Sequence, residues 1–369
     1  MPAIKAITMP KWGLAMQEGM VAKWNVKAGD TVRPGQEIMD IETSKIANVF
    51  ESPVDGPLRR VVAGEGETVA VGALLGVVAD RSIDDAAIDA FVDEFKARFA
   101  TEGGPEAAPE PQTVEVSGKP MRYLEIGSGG GTAMVLIHGF GSDHSSWAMN
   151  QAALAEGRRV IAPDLPGHGA SSKDVGAGDI AALSAMVLAF MDKLGLERAH
   201  LVGHSLGAGI ALHLAQTLPT RVASLTLIAP CGLGPEINME FITGFIAETR
   251  ARKLKGVLEM LTPTPAMISS EMVENVIRFK RLDGAEAALR AIAAAAYPGG
   301  AQGWSGRDGL ARLAMPAQAI FGAEDRIIPA RHAAGLPAAI KTLVIPGAGH
   351  VPHMEKSDAV NAAVQALAG

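Results

Sequence analysis

Over residues 1–80 the apolar positions come in short runs broken by turn residues. Apolar-rich stretches at 21–26, 37–42, 47–51, 58–62 and 74–78 are separated by Ala28-Gly29-Asp30, Pro34-Gly35, Asp55-Gly56 and residues 64–66. Runs this short, bounded by Gly, Pro and Asp, predict strands. The segment also repeats itself: Gly29-Asp30-Thr31-Val32, Gly35 and Ile38 recur as Gly66-Glu67-Thr68-Val69, Gly72 and Leu75. Two similar halves predict a small pseudo-symmetric β-sandwich or flattened barrel, each half covering the sheet edges of the other.

Residues 83–99 change period. Ile88, Phe91, Val92, Phe95 and Phe99 fall on one helical stripe, charged residues cover the rest, and Asp84 or Asp85 is placed to cap the start. The apolar face packs on one of the flanking domains or docks another subunit. Residues 101–112, rich in Gly, Pro, Glu and Ala, predict an extended linker; at about 3 Å per residue it spans up to about 30 Å. From residue 113 β-rich runs at 135–137, 160–162, 201–202, 225–228, 317–321 and 342–345 alternate with helical stretches. That alternation predicts a mostly parallel sheet with helices on both faces. Strand signals stop between about 231 and 312, where 239–261, 270–282 and 285–296 each predict a helix, together a cap inserted after the strand at 225–229. The expected organisation is therefore an all-β domain at 1–80, a helix and linker at 81–112, and an α/β domain at 113–369.

The 369 residues, 48% of them hydrophobic, suffice for two or three cores. Lys and Arg number 33 against 40 Asp and Glu, and both signs are scattered, which leaves no electrostatic footprint for nucleic acid or an anionic membrane. The one cysteine, Cys231, excludes an internal disulfide and fits a reducing cytoplasm. Lys5, Lys11 and Glu18 interrupt any leader-like apolar run, and no apolar stretch is long enough to span a bilayer. A soluble cytoplasmic enzyme is the expectation.

Lys45 sits between two strand-like runs in Glu42-Thr43-Ser44-Lys45-Ile46-Ala47, where a hairpin places it at the tip. A lysine meant for covalent modification needs such an exposed turn, although most turn lysines are merely solvated. Met9-Pro10-Lys11-Trp12-Gly13-Leu14, Gly19, Val26-Lys27-Ala28-Gly29-Asp30-Thr31-Val32, Gly35 and Ile41-Glu42-Thr43-Ser44-Lys45 together resemble the lipoyl domains of 2-oxo acid dehydrogenase complexes. The resemblance covers nearly all of residues 3–79, departs from the common tip at Ser44 and Ile46, and implies lipoate covalently bound as N6-lipoyllysine at Lys45. Biotin carriers share the fold, but their lysine usually lies between methionines, which Lys45 does not.

Gly203-His204-Ser205-Leu206-Gly207 matches G-x-S-x-G, with a strand before it and a helix over 206–218 after it. Glycines at 203 and 207 relieve crowding in the sharp turn that exposes a nucleophilic Ser205 hydroxyl. A serine needs a base, and the base an orienting acid. Asp325 follows the strand at 317–321 and His350 the strand at 342–345, both at C-terminal strand ends, where an open α/β sheet puts its site. Glu324 and His353 are their neighbouring rivals. The set resembles the α/β-hydrolase superfamily, whose positions Asp325 and His350 occupy. His138-Gly139-Phe140-Gly141 resembles that superfamily's oxyanion turn, which implies the backbone N–H groups of Phe140 and Leu206 as oxyanion donors. His138 and His168 read as loop-holding residues, Cys231 as a buried thiol. His350-x-x-His353 lacks the carboxylate or cysteine partners of a metal site, so no metal is expected.

The order of a lipoyl domain, a linker and an α/β-hydrolase domain resembles the dihydrolipoamide acetyltransferase components of bacterial acetoin dehydrogenase complexes, over the whole chain. That resemblance implies transfer of an acetyl group from the dihydrolipoyl arm to coenzyme A as co-substrate. It also implies a homo-oligomer working with a thiamine-diphosphate-dependent dehydrogenase and dihydrolipoamide dehydrogenase. The His-x-x-x-Asp-Gly motif of the usual acyltransferases is absent. The alternative reading is a serine hydrolase (a thioesterase, an esterase or a C–C bond hydrolase) that carries the lipoyl domain for localisation. A scaffold with a vestigial triad fits less well, because every element of the site is present.

Overall fold

The computed structural model describes residues 4–10, 16, 18–43, 47–101 and 109–369. Lys45 and its neighbours Ser44 and Ile46, residues 11–15 and linker residues 102–108 lie outside the described set. The chain divides into two compact units, Met1–Glu110 and Pro111–Gly369.

The first unit contains strands β1 (Lys5–Thr8), β2 (Glu18–Trp24), β3 (Thr31–Val32), β4 (Glu37–Glu42), β5 (Ala47–Glu51), β6 (Gly56–Val61), β7 (Thr68–Ala70) and β8 (Leu74–Val78). They form two four-stranded sheets, ordered β1-β8-β6-β3 and β5-β4-β2-β7. Advancing each strand by four positions in the chain, with wrap-around, converts one order into the other. The internal sequence repeat is thus a structural repeat. Ile7, Met9, Val21, Val32, Ile38, Met39, Ile41, Leu58 and Leu75 fill the space between the sheets. A side chain at Gly19 would lie 2.9 Å from both Ile41 and Met9, so the sheets close there only around glycine. Strands β1, β3 and β7 were not legible as separate runs; at two to four residues they carry too little alternation.

Helix α1 (Asp85–Thr101) begins one turn after Asp80, and the Asp84 carboxylate accepts the Ala87 amide at 2.7 Å. Ile88 is fully buried against Leu74, Val77 and Ala79, with Phe91, Val92 and Phe95 beside it. Arg59 donates to the Asp80 and Ile83 carbonyls and pairs with Asp85, and Arg60 pairs with Asp89. The helix belongs to the β-unit.

The second unit is built on strands β9 (Gln112–Val116), β10 (Lys119–Ile126), β11 (Met134–Ile137), β12 (Val160–Pro163), β13 (Ala199–His204), β14 (Val222–Ile228), β15 (Ala317–Gly322) and β16 (Ile340–Ile345). Their order in one sheet is β16-β15-β14-β13-β11-β12-β10-β9, antiparallel at β9–β10–β12 and parallel elsewhere. The β9–β10 hairpin turns through Ser117 and Gly118, both at positive φ (50° and 75°). That Ser-Gly pair supplies the two positive-φ positions that a tight two-residue hairpin turn requires. The helices are α2 (Gln151–Leu154), α3 (Ile180–Lys193), α4 (Leu206–Thr217), α5 (Met239–Ala247), α6 (Ala251–Leu258), α7 (Ser270–Lys280), α8 (Ala285–Ala296), α9 (Pro352–Glu355) and α10 (Ser357–Ala368). Strand β11 shows why both sheet faces are covered. Val135 and Ile137 join the core under α3 and α4, while Met134 and Leu136 join the core with Trp147, Leu154, Val360 and Val364.

Helices α5 to α8 form the insertion between β14 and β15. The single helix expected over 239–261 is two helices instead, because Glu248 and Arg250 take extended backbone (ψ 122° and 127°). The break lets α5 and α6 pack against each other. It also frees the last carbonyls of α5, and the Lys280 ammonium satisfies them, donating to Phe245 O at 2.6 Å and to Glu248 O. That partner lies 32 residues beyond Glu248 and 35 beyond Phe245, out of reach of any periodicity argument.

Candidate active site

Strand β13 runs through Gly203 and His204 into Ser205, and α4 starts at the next residue. Ser205 sits at φ 53°, ψ −115°, a conformation that costs a non-glycine residue about 1–3 kcal/mol and persists only when its surroundings enforce it. The enforcement is steric. A side chain at Gly203 would lie 2.4 Å from Gly207 O, and one at Gly207 would lie 2.2 Å from Ile137 O. Backbone cannot yield at those distances, so both positions require glycine if the turn is to be this sharp. The Ser205 carbonyl is pinned in turn by amides of Ala208 (3.0 Å), Gly209 (3.2 Å) and Cys231 (3.1 Å).

The loops after β15 and β16 bring the other two groups to the serine. His350 Nε2 lies 3.0 Å from Ser205 Oγ, and His350 Nδ1 lies 2.8 Å from Asp325 Oδ2. The other oxygen of Asp325 accepts the amides of Ile327 (2.7 Å) and Ile328 (3.0 Å), which fixes the carboxylate plane. All three side chains are buried. With the carboxylate on Nδ1, the neutral imidazole carries its proton there and offers Nε2 as a lone pair to the serine hydroxyl. Glu324, beside Asp325 in sequence, points to solvent. His353 is fully buried against Trp147 and His204, with ring centroids 4.6 and 4.5 Å away, and neither of its nitrogens has a partner among the described residues. Burial, with the neighbouring His350, depresses its pKa to about 3, so it stays neutral.

Sequence reasoning missed His204 as a positioning group. Its Nε2 donates to the His350 carbonyl at 2.8 Å, bracing the backbone of the base from below. Burial, then His353 and His350, hold its pKa well below the ordinary imidazole value, so it adds no charge beside the base.

The turn of His138 to Gly141 abuts the serine: a side chain at Gly139 would lie 3.1 Å from Ser205 Cβ. His138 holds this turn, its Nε2 accepting the Leu165 amide at 2.9 Å. Neither Phe140 N nor Leu206 N takes up a backbone acceptor among the described residues, and Leu206 opens α4, where first-turn amides are free and the dipole favours negative charge. The Phe140 ring is enclosed by the insertion and by His168. Phe245 lies 6.0 Å away, Tyr297 6.3 Å and His168 6.1 Å, all edge-on. Phe245 also seals Gly141, where a side chain would meet its ring at 2.5 Å. Cys231 is buried and its thiol is pushed up to about 12, chiefly by desolvation, so it is no competing nucleophile.

Asp143, His144 and Asp164 form the one candidate metal-ligand cluster among the described residues. Both carboxylates are engaged by the neighbouring loops. Asp164 accepts the amides of His144 and Ala170 and the His144 ring at 2.7 Å, and Asp143 accepts the Ser145 amide. The cluster holds loops.

Two family models match the chain: a biotin-requiring-enzyme (biotin/lipoyl) model over residues 5–78 and an alpha/beta hydrolase fold model over residues 132–357. The hydrolase of meta-cleavage products from Pseudomonas fluorescens superposes with a TM-score of 0.62 at 21% identity, covering 69% of this chain and 96% of its own, a likeness of fold alone. Two relatives are similar nearly end to end. The dihydrolipoyllysine-residue acetyltransferase component of the acetoin cleaving system of Pseudomonas putida is 45% identical, over 98% of this chain and 97% of its own length. The protein of the same description from Cupriavidus necator is 40% identical, over 98% and 96%. Both domains and their order are shared along that whole length, and the chain belongs to the family of dihydrolipoyllysine-residue acetyltransferase components of acetoin cleaving systems.

Proposed function

We propose that this chain transfers an acetyl group from the dihydrolipoyl arm on Lys45 to coenzyme A, with Ser205, His350 and Asp325 as catalytic residues. The observation that carries the reading is the buried Ser205–His350–Asp325 relay at 3.0 and 2.8 Å in a chain that also contains a carrier domain. Strands β4 and β5 pair as far as Glu42 with Ala47, which leaves residues 43–46 to join them, and that connection contains Lys45. A single primary amine between two paired strands suits amide formation with lipoate. When bound, that group supplies a dithiol able to hold an acyl group as a thioester.

His350 Nε2 accepts the Ser205 proton while Oγ attacks the thioester carbonyl. Negative charge forms on the carbonyl oxygen, where the Phe140 and Leu206 amides stabilise it; one such donor is worth about 10²–10³ in rate. The C–S bond breaks, His350 returns the proton to the departing sulfur, and the acetyl group remains on Ser205 as an ester. The coenzyme A thiol then gives its proton to His350, its sulfur attacks the ester, and the C–O bond breaks to regenerate the hydroxyl. Asp325 keeps His350 oriented and stabilises its cationic form in both halves. Phe245 and Tyr297 cover the oxyanion turn and exclude water, whose attack on the ester would waste the acyl group as acetate.

Membership of a family of components of acetoin cleaving systems supports assembly with the other enzymes of acetoin cleavage, for which we propose a thiamine-diphosphate-dependent dehydrogenase, dihydrolipoamide dehydrogenase and a homo-oligomeric core. No helix among the described residues is long and apolar enough to cross a membrane, and the lone, buried Cys231 suits the cytoplasm. The test is the fate of the acyl group. Purified protein given acetyl-dihydrolipoamide and coenzyme A should form acetyl-CoA in large excess over free acetate. Acetate as the main product would replace this reading with a hydrolase.

A further inference from the structure

The insertion carries a concentration of basic side chains where α5, α6 and α7 meet. Arg250, Arg252 and Lys253 stand at the start of α6, and Arg278, Lys280 and Arg281 at the end of α7. The two groups converge at Glu248, whose carbonyl accepts from Lys280 and whose carboxylate lies 3.9 Å from Lys253. Other acids nearby are Glu274, one turn before Arg278 on α7, Asp283 and Glu286, and Glu286 is held by Arg290 at 2.7 Å. Among the described residues no carboxylate lies within ion-pair distance of Arg250, Arg252, Arg278 or Arg281, and all four are exposed. Leu282 beside them is 45% exposed.

This patch is the outer side of the wall that encloses the oxyanion turn. Lys280 donates to the Phe245 carbonyl and stands over the Phe245 ring, and that ring seals Gly141 and flanks Phe140. Phe279, between Arg278 and Lys280, stacks on His168, which also flanks Phe140. Clustered guanidinium groups with no protein anion raise the local positive potential, and their forked N–H donors match phosphate oxygens.

We propose that this cluster binds the phosphates of coenzyme A, with the pantetheine arm running inward past Phe245 to Ser205. Arg278 and Arg281 meet the phosphates, and Leu282 with the guanidinium planes offers a face to the adenine ring. The inference rests on the acyl-transfer reading given above. It explains why a hydrolase scaffold that closes its serine behind aromatic rings would put unpaired arginines on the outside of the same wall.

The test uses the full chain in two assays. Equilibrium binding of coenzyme A, 3′-dephospho-coenzyme A and pantetheine is measured by calorimetry, and KM for the same thiols with free acetyl-dihydrolipoamide as donor. Arg278→Gln should raise Kd and KM for coenzyme A about three- to tenfold, the value of one charge-assisted phosphate contact at a surface. Pantetheine parameters and kcat should stay unchanged, and Arg278→Lys should restore part of the loss. The triple variant Arg250→Gln, Arg278→Gln, Arg281→Gln should lose more and flatten the salt dependence of coenzyme A binding. An unchanged coenzyme A Kd in the triple variant overturns the proposal and leaves an acidic protein surface as the occupant. Equal weakening toward pantetheine overturns it as well. If no thiol accepts an acetyl group, the acyl-transfer reading fails, while the binding assay still decides the phosphate site.

Discussion

At the scale of single residues, the chemistry of the site was legible where it depends on local crowding and obscure where it depends on distant partners. The glycines around Ser205 announce a turn that admits no side chain, and the 2.2 and 2.4 Å approaches at Gly207 and Gly203 show why. The sequence favoured Asp325 over its neighbour Glu324 by resemblance to the superfamily's pattern, because adjacent carboxylates look alike in one dimension. In three dimensions Asp325 meets His350 and two amides, from Ile327 and Ile328, while Glu324 is exposed. The His144–Asp164 pair was not visible at all, since its members meet only when the loops after β11 and β12 come together. Burial alone would raise the Asp164 pKa, but the hydrogen bond and charge of His144 outweigh it and bring it to about 2. For His144 burial pulls downward, and Asp164 raises the pKa above its usual value. A raised histidine stabilises the fold below the unfolded value, near pH 6.5, and loses that contribution as pH climbs through the folded value; a lowered aspartate contributes above about pH 4 and loses it toward pH 2. His144→Gln should therefore cost about 2 kcal/mol between about pH 4 and 6, with the difference shrinking on both sides. Urea denaturation across pH checks this, and a difference that grew above pH 8 would contradict it.

At the scale of elements, periodicity located the helices of the insertion and misjudged one junction. A continuous apolar stripe over 239–261 reads as one helix, yet it is buried by two shorter helices folded against each other around the break at 248–250. What makes the break tolerable is Lys280, which satisfies the freed carbonyls of α5. Lys280→Met keeps the aliphatic stem and removes the donor. It should destabilise the second unit by about 1–2 kcal/mol, the range for a charge-assisted bond at a helix end. Thermal denaturation reads the shift, and hydrogen exchange should show faster opening at 245–250 than in the central strands. Unaltered protection there would mean that the junction is held by packing alone. The same residue supports Phe245 over the oxyanion turn, so the variant should also release more acetate per acetyl transferred. The helix α1 ambiguity, packing or docking, was resolved by Ile88, buried against Leu74 and Val77 of its own unit.

At the scale of the whole molecule, two folds with different periods were separable in the sequence because a period of two gives way to alternating strands and helices across residues 81–113. The four-strand shift that maps one sheet order onto the other in the first unit was anticipated by the repeated Gly-Asp/Glu-Thr-Val. The sheet order of the second unit was not, because strand adjacency depends on crossovers that leave no local mark. The proposed chemistry links the two units through a thioester on lipoyl-Lys45 and an acceptor hydroxyl on Ser205. The most direct measurement takes lipoylated, reduced full-length protein, adds acetyl-CoA, quenches in acid, and locates acetyl groups by peptide mass spectrometry. The wild type should show acetyl on the peptide containing Ser205 and on lipoyl-Lys45, and Ser205→Ala should acetylate lipoyl-Lys45 about 10⁴-fold more slowly or not at all. Acetylation of lipoyl-Lys45 at the wild-type rate in Ser205→Ala would contradict the account and replace the acyl-serine with direct transfer between thiols.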